Sequence, residues 1–294
     1  MHSNEKINNG ISGSVTIANN ALKYLASEVT NSKLKERSAF FLDLSKKTEK
    51  VCKKYWYMAS INNQLKHVIR EARVKTRAEK DIELIKKVTL EQIQITTDDF
   101  EENINKAAKN AAKLFYPENS IFVFSQSYTI IRALEIYKEH RGPDLNIHTV
   151  EAKPGSEGIL FADTCAKMGY SVHLYPDMNI TNAVANSDAV VIGADRLLCR
   201  EFFNKAGTCI VLEYGKKFGK QNIIVCDQSK ILKLSDFMVG QLKAKPDETL
   251  RPKGKLKYNV TSYYFERGTY DNITRITTEL GNFEFEDFRI RYLE

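Results

Sequence analysis

Apolar positions along this chain change their period once. Up to about residue 112 they return every three or four residues: Val15, Ile17, Ala18, Ala21, Leu22 and Leu25 form one stripe, and Phe40–Leu42 to Tyr55 and Ile61, Leu65, Val68 and Ile69 to Val74 repeat it. That spacing puts the apolar side chains on one face of a helix. Ser14 stands where a hydroxyl can cap the first of these helices. A longer helix is predicted over about Asp81 to Leu114, a stretch with neither Gly nor Pro that ends in the Ala-rich Ala107–Ala112.

Pro117 closes this regime. The runs Ile121–Phe124, Asn146–Val150, Val172–Tyr175, Ala189–Ile192 and Ile223–Cys226 are short and apolar or β-branched, and helical stretches such as Thr129–His140 and Glu157–Lys167 separate them. Strand and helix alternating at this spacing predict βαβ units and a parallel, doubly wound sheet. The expectation is therefore an α/β chain with two domains, helical over 1–115 and α/β over 116–294. Leu232–Val260, with Pro246, Pro252 and several lysines, reads as a long loop of the kind that is functional, disordered or part of an interface.

Composition changes this picture in three places. With 43% hydrophobic and 28% charged residues and no apolar run of about 18, the chain reads as globular, with no membrane partner. Five cysteines without CxxC pairing, in a chain whose first residues lack an apolar signal core, point to reduced thiols and a cytoplasmic location. No His or Cys group has zinc spacing, so neither metal nor cofactor is expected. The net charge of +7 is concentrated early: 20 Lys and Arg face 14 Asp and Glu up to residue 112, against 24 and 23 beyond it. These charges are diluted along helices without aromatic interleaving, so a solvated surface is the expectation and nucleic acid is not.

In a doubly wound sheet, ligands bind at the carboxyl ends of the strands. Polar residues gather there: Ser125 after the first run, Lys153 after the second, Asp177 after the third, Asp195 after the fourth and Asp227 after the fifth. Asn204, Lys205, Gly207 and Thr208 then follow at what reads as the start of a helix, an arrangement suited to an anion. Each of these residues could instead serve only as a turn residue or helix cap, which is the preferred reading for Asp177 and Asp227.

Gly193-Ala194-Asp195-Arg196 with Asn204-Lys205-Ala206-Gly207-Thr208 resembles the GAD(R)…NKxGT signature of one superfamily. Its members are the α, β and δ subunits of eukaryotic translation initiation factor 2B, their archaeal relatives, and isomerases of methylthioribose 1-phosphate and ribose 1,5-bisphosphate. Glu151-Ala152-Lys153-Pro154 with Glu157-Gly158 resembles its ESRP…EG segment. Gly13-Ser14 through Ala18 resembles its N-terminal phosphate loop, Met58 through Asn63 a helix start of its helical domain, and Ile276 through Gly281 its closing TExG. The resemblance spans about Ile11 to Gly281 and implies a helical domain before a Rossmann-like one, and a homodimer through the latter. Gly13, Ser14, Lys153, Asn204 and Lys205 are then the expected ligand-binding residues, holding a phosphosugar- or nucleotide-type anion at the sheet's C-terminal edge.

In the isomerases so resembled, a cysteine at the first strand end and the Gly-Ala-Asp carboxylate handle the protons of an aldose-to-ketose shift. Here Ser125 takes the cysteine's place, and a serine hydroxyl does not exchange a proton near neutral pH without an activating base. Cys199 is the one cysteine placed to stand in for it. Two arginines of the family pattern appear as Ser12 and Lys153, and Cys199–Phe203 replaces the usual Asn-Gly or Asp-Gly. Three readings follow. One is a non-catalytic relative of the initiation factor 2B regulatory subunits, with initiation factor 2 or related subunits as partners. The second is a ribose-phosphate isomerase using Asp195, and the third is a sensor that binds without turnover.

Overall fold

The computed structural model describes residues 13–115, 120–232 and 259–293. Ser12 and nearly all of the expected 232–260 loop lie outside the described residues. The chain divides into two compact units. The first holds the residues up to Glu102 and a short piece beginning at Ser229; the second holds Asn103 to Gln228 and the C-terminal part.

The first unit is helical, as the apolar period predicts. It contains α1 (Ser14–Thr30), α2 (Arg37–Lys54), α3 (Ala59–Lys75) and most of α4 (Ile82–Leu114), within which the division falls. The stripe Val15, Ile17, Ala18, Ala21, Leu22, Leu25 and Val29 is buried along α1. Inside α4, Gln92 is buried and satisfied at both ends: its amide donates to Thr96 Oγ1 (3.2 Å) and its oxygen accepts from Lys75 Nζ (2.7 Å). The start of α1 departs from expectation. Gly13 is the cap residue, no side chain caps the helix, and Ser14 is already its first helical residue. Its hydroxyl instead accepts a hydrogen bond from Lys230 Nζ. Lys230 arrives on the Ser229–Leu232 piece, anchored by the Asn63 amide, which donates to the carbonyls of Ser229 (2.8 Å) and Ile231 (2.6 Å).

The second unit contains β1 (Ser120–Val123), α5 (Tyr128–Arg141), β2 (Asn146–Val150), α6 (Glu157–Lys167), β3 (Ser171–Tyr175), α7 (Ile180–Ala185), β4 (Ala189–Ile192), β5 (Arg196–Leu197), β6 (Glu201–Lys205), α8 (Thr208–Lys217) and β7 (Gln221–Val225). After the undescribed residues come β8 (Phe265–Thr269), β9 (Arg275–Thr278), β10 (Gly281–Glu284) and α9 (Phe285–Phe288). Seven strands form one sheet in the order β10-β9-β7-β4-β1-β2-β3, all parallel but for β10. The five apolar runs are five of these strands. Ile121, Val123, Ile147, Val191 and Ile223 pack on one face against the Ala-rich end of α4 and the apolar stripe of α5. From β1 the chain steps outward to β2 and β3, then returns to lay β4 on the other flank of β1. The strand order thus reverses between β1 and β4, where open α/β sheets hold their ligands.

Alternation does not announce the second sheet, β5-β6-β8, which is antiparallel. It overturns one local expectation, because Asn204 and Lys205 end the strand β6 rather than start a helix. Gly207, at φ 103°, makes the turn that lets α8 begin one residue later. A side chain there would be strained by that backbone and would also meet the Phe124 ring at 2.7 Å.

Candidate functional site

Val123 of β1 faces Val191 of β4, and two residues beyond each lie Ser125 and Gly193. The two loops touch at once, since a Cβ on Gly193 would come within 3.1 Å of Ser127 Oγ. Ser127 caps α5, its side chain accepting from Ile130 N. Ser125 is half-buried with φ 64°, in the left-handed region. Asp195 follows on the neighbouring tip, half-buried, its N–H donating to Phe203 O at 3.0 Å. Ser125 and Asp195 therefore stand on the tips of the two strands that flank the reversal.

The next tip, after β2, is tightly folded. Ala152 and Ser156 also adopt left-handed backbone, with φ of 60° and 58°. Non-glycine residues so held cost of order 1–3 kcal/mol each and persist where surrounding contacts fix them. Asp177, at the end of β3, supplies such contacts by accepting from the amides of Ala152 (2.7 Å) and Lys153 (2.9 Å). Gly158 supplies another. A Cβ there would lie 1.7 Å from Val150 O, so only glycine lets α6 start so close to β2.

This folding delivers Glu157 to a buried position opposite Lys205. Lys205 Nζ lies 2.7 Å from Glu157 Oε2, both side chains are almost wholly buried, and the same ammonium donates to Pro154 O. It also sits 3.8 Å from the centre of the Tyr264 ring, a cation–π contact. Burial pushes the Lys205 ammonium below the usual lysine value and the Glu157 carboxyl above the usual carboxylate range, while the attraction between them opposes both shifts. Asp177 and Asp195 add negative charge around Lys205, and Asp195 further raises Glu157.

The remaining expected residues are placed as follows. Asn204 is buried and turned onto its own loop, Nδ2 donating to Thr208 Oγ1 at 3.1 Å. Lys153 is exposed, with Nζ 3.3 Å from Glu151 Oε2. Gly13 and Ser14 belong to the helical unit, where Ser14 meets the buried Lys230. Cys199 is half-buried beyond β5, whereas burial pushes the thiols of Cys165 and Cys209 up to about 12. The sequence pattern assigns no role to Glu157, Tyr264 or Lys230. Glu157 had a signal, a glutamate before the glycine that opens α6; Tyr264 and Lys230 are remote in sequence from what they touch.

Chemically, the edge offers the N-termini of α5 and α6, an exposed lysine, and two carboxylates in unlike surroundings. Helix N-termini and Lys153 suit an anion. No thiol stands on the strand tip between the two carboxylates.

A family model described as the initiation factor 2 subunit family, IF-2B, matches residues 10–285. Ribose 1,5-bisphosphate isomerase of Thermococcus kodakarensis is 22% identical over 240 residues, covering 81% of this chain and 74% of the relative. The structure of the Pyrococcus horikoshii OT3 translation initiation factor eIF-2B superposes with a TM-score of 0.79 at 18% identity, covering 95% of this chain and 94% of that one. The structure of 5-methylthioribose 1-phosphate isomerase from the same organism superposes at 0.75 and 20% identity, covering 96% and 83%. These likenesses establish the fold: a helical region followed by a mostly parallel sheet.

Proposed function

The chain belongs to the initiation factor 2 subunit family, and from that premise we propose that it is a binding and regulatory member without turnover, holding a phosphosugar- or nucleotide-type anion at the carboxyl edge of its parallel sheet. The observation that carries this reading is Ser125 on the tip of β1, beside the strand reversal and the Asp195 tip. An aldose–ketose shift needs one group to take a proton and another to give it back. A hydroxyl is no such group near pH 7, and the two thiols with raised values are inert by burial. What remains suits binding: helix N-termini, Lys153 and a strained loop fixed by Asp177.

Incubation with ribose 1,5-bisphosphate and with methylthioribose 1-phosphate should give no ketose, while either sugar raises the melting temperature. Ser125→Cys should remain inactive, because Lys205 is already neutralised by Glu157 and the arginines of the resembled pattern are absent. Turnover by the wild-type protein at ordinary enzymatic rates overturns the reading. The second reading, a ribose-phosphate isomerase, is favoured by one observation, a Glu157 carboxyl that burial, and further the Asp195 charge, push above the usual carboxylate range; loss of measured turnover in Asp195→Asn would establish it.

The same reading includes a homodimer through the α/β unit and initiation factor 2 or a related subunit as partner. Tyr263, Leu280 and Ile290 are large, apolar and exposed on the C-terminal elements, as a covered surface requires. Light scattering at micromolar concentration tests the dimer, and a pull-down with initiation factor 2 tests the partner.

A further inference from the structure

Within the α/β unit, α4 and α5 line an open cavity of about 540 Å³. Its floor is apolar, formed by Ala112 and Ile136, and its walls carry Lys109, Lys113, Arg132, His140 and Arg141. It does not belong to the site described above. The end of α5 leads into the start of β2, and the end of α4 precedes β1, so this cavity lies toward the amino ends of the strands.

Helix dipoles account for part of this charge. Lys113 is in the last turn of α4, and His140 and Arg141 are in the last turn of α5, where cations are favoured. They do not account for Lys109 or Arg132, nor for the concavity. Lys109 and Lys113 are one turn apart, about 6 Å along the axis, on the same face. Among the described residues neither makes an ion pair, and like charges at that spacing repel. Arg132 is held in place, Nε donating to Asn105 Oδ1 (2.9 Å) and Nη1 to Glu135 Oε2 (2.8 Å). Among the lining residues Glu139 is the one carboxylate, and since Arg132 already pairs with Glu135, Lys109 and Lys113 are the lining cations that bring charge without an ion pair among the described residues. The volume is that of a small-molecule site.

We propose that this cavity binds a small oligophosphate, a molecule carrying two or three linked phosphate groups. Lys109 and Lys113 meet the phosphates from α4, and Arg132 and Arg141 from α5. The floor of Ala112 and Ile136 covers whatever apolar part the ligand has. A single phosphate meets only one side of the cavity, whereas a di- or triphosphate reaches the lysines of α4 and the arginines of α5 together and forms several charge-assisted hydrogen bonds.

Calorimetry with inorganic tripolyphosphate, pyrophosphate and orthophosphate tests this. Affinity should rise with the number of phosphates and fall with added salt. Lys109→Ala/Lys113→Ala should weaken tripolyphosphate binding at least about tenfold, the loss of two charged hydrogen bonds. Lys87→Ala, exposed on α4 outside the cavity lining, should leave it unchanged. The proposal fails if the wild-type protein does not bind tripolyphosphate, or if the double variant binds as well as wild type. Loss confined to Lys153→Ala also overturns it, by assigning the binding to the carboxyl edge. A single-stranded oligonucleotide bound more tightly than tripolyphosphate through Lys109 and Lys113 would make the surface one for nucleic acid and overturn it too.

Discussion

The α/β unit holds lysines in two opposite conditions. Lys205 is buried, ion-paired with Glu157 and packed on Tyr264. Lys109 and Lys113 are exposed on a helix, facing a cavity, with no ion pair among the described residues. The first is consumed by the fold, since its charge is the condition for Glu157 to be buried at all. The others form no ion pair among the described residues and are available to a ligand. A lysine singled out by a sequence signature is therefore not, for that reason, the lysine that meets an anion.

The largest effect should come from breaking the consumed pair. Lys205→Met leaves the Glu157 carboxyl buried opposite an apolar side chain, and losing one partner of a buried ion pair costs about 3–5 kcal/mol. Denaturant unfolding measures this loss. Replacing both partners, Lys205→Met with Glu157→Leu, should recover most of it, because no orphaned charge remains. A double variant as unstable as the single one would mean that the packing, not the charge, was lost.

Glu279 sharpens the comparison, for it is a mostly buried carboxyl whose hydrogen bond is to an amide rather than a lysine. Both its oxygens lie about 3 Å from Gln228 N (3.1 and 3.0 Å). Burial, with Asp227 nearby, pushes it from the ordinary value near 4.5 up to about 7, against the opposing effects of hydrogen bonds from its own amide and that of Gln228 and of the Lys106 charge. The folded protein therefore binds a proton more tightly than the unfolded chain does. Stability from this group is fully present below about pH 4.5 and is lost as pH rises to about 7, amounting to about 3 kcal/mol. Glu279→Gln should flatten the stability profile across that window. If the decline from pH 4.5 to 7 persists unchanged in the variant, another group is responsible.

Next in size is Gly158→Ala. The added methyl collides with Val150 O, so the start of α6 must shift, at a cost of about 1–3 kcal/mol. The shift carries Glu157 with it, so the variant should lose phosphosugar-induced thermal stabilisation as well as stability. Unchanged stabilisation by the sugars would separate the Glu157 loop from the binding edge.

How much of this was legible beforehand follows from the distance over which each contact is made. The helices of the first unit and the five strand runs were legible because burial acts on neighbours in sequence and leaves a period of 3.6 or a continuous apolar run. Ser125 and Asp195 were legible as strand tips for the same reason. The antiparallel sheet was not, because β6 is buried between β5 and β8, and β8 lies sixty residues further on; its Phe202 and Phe203 carry no period that distinguishes strand from loop. The signature marks Lys205, but its condition depends on Glu157 and Tyr264, which are distant along the chain. Serine favours a cap position, yet Gly13 holds it and the Ser14 hydroxyl is taken by Lys230. The basic cavity was spread over two helices as ordinary surface charge, and only the packing of α4 on α5 makes it concave.

The smallest effect separates the available lysines from the consumed one most cleanly. Lys109→Glu sets a carboxylate one turn before Lys113, the favourable orientation for such a pair, and replaces a repulsion by an attraction. Stability should rise by a few tenths of a kcal/mol at low salt and return to that of wild type near molar salt, where surface pairs are screened. Tripolyphosphate binding, in contrast, should fall sharply at any salt concentration where it can be measured. A lysine that served the fold would lose stability when reversed, as Lys205 must. Gain of stability with loss of binding is the signature of a charge kept for a ligand, and a destabilised Lys109→Glu protein would place Lys109 with Lys205 and remove the contrast.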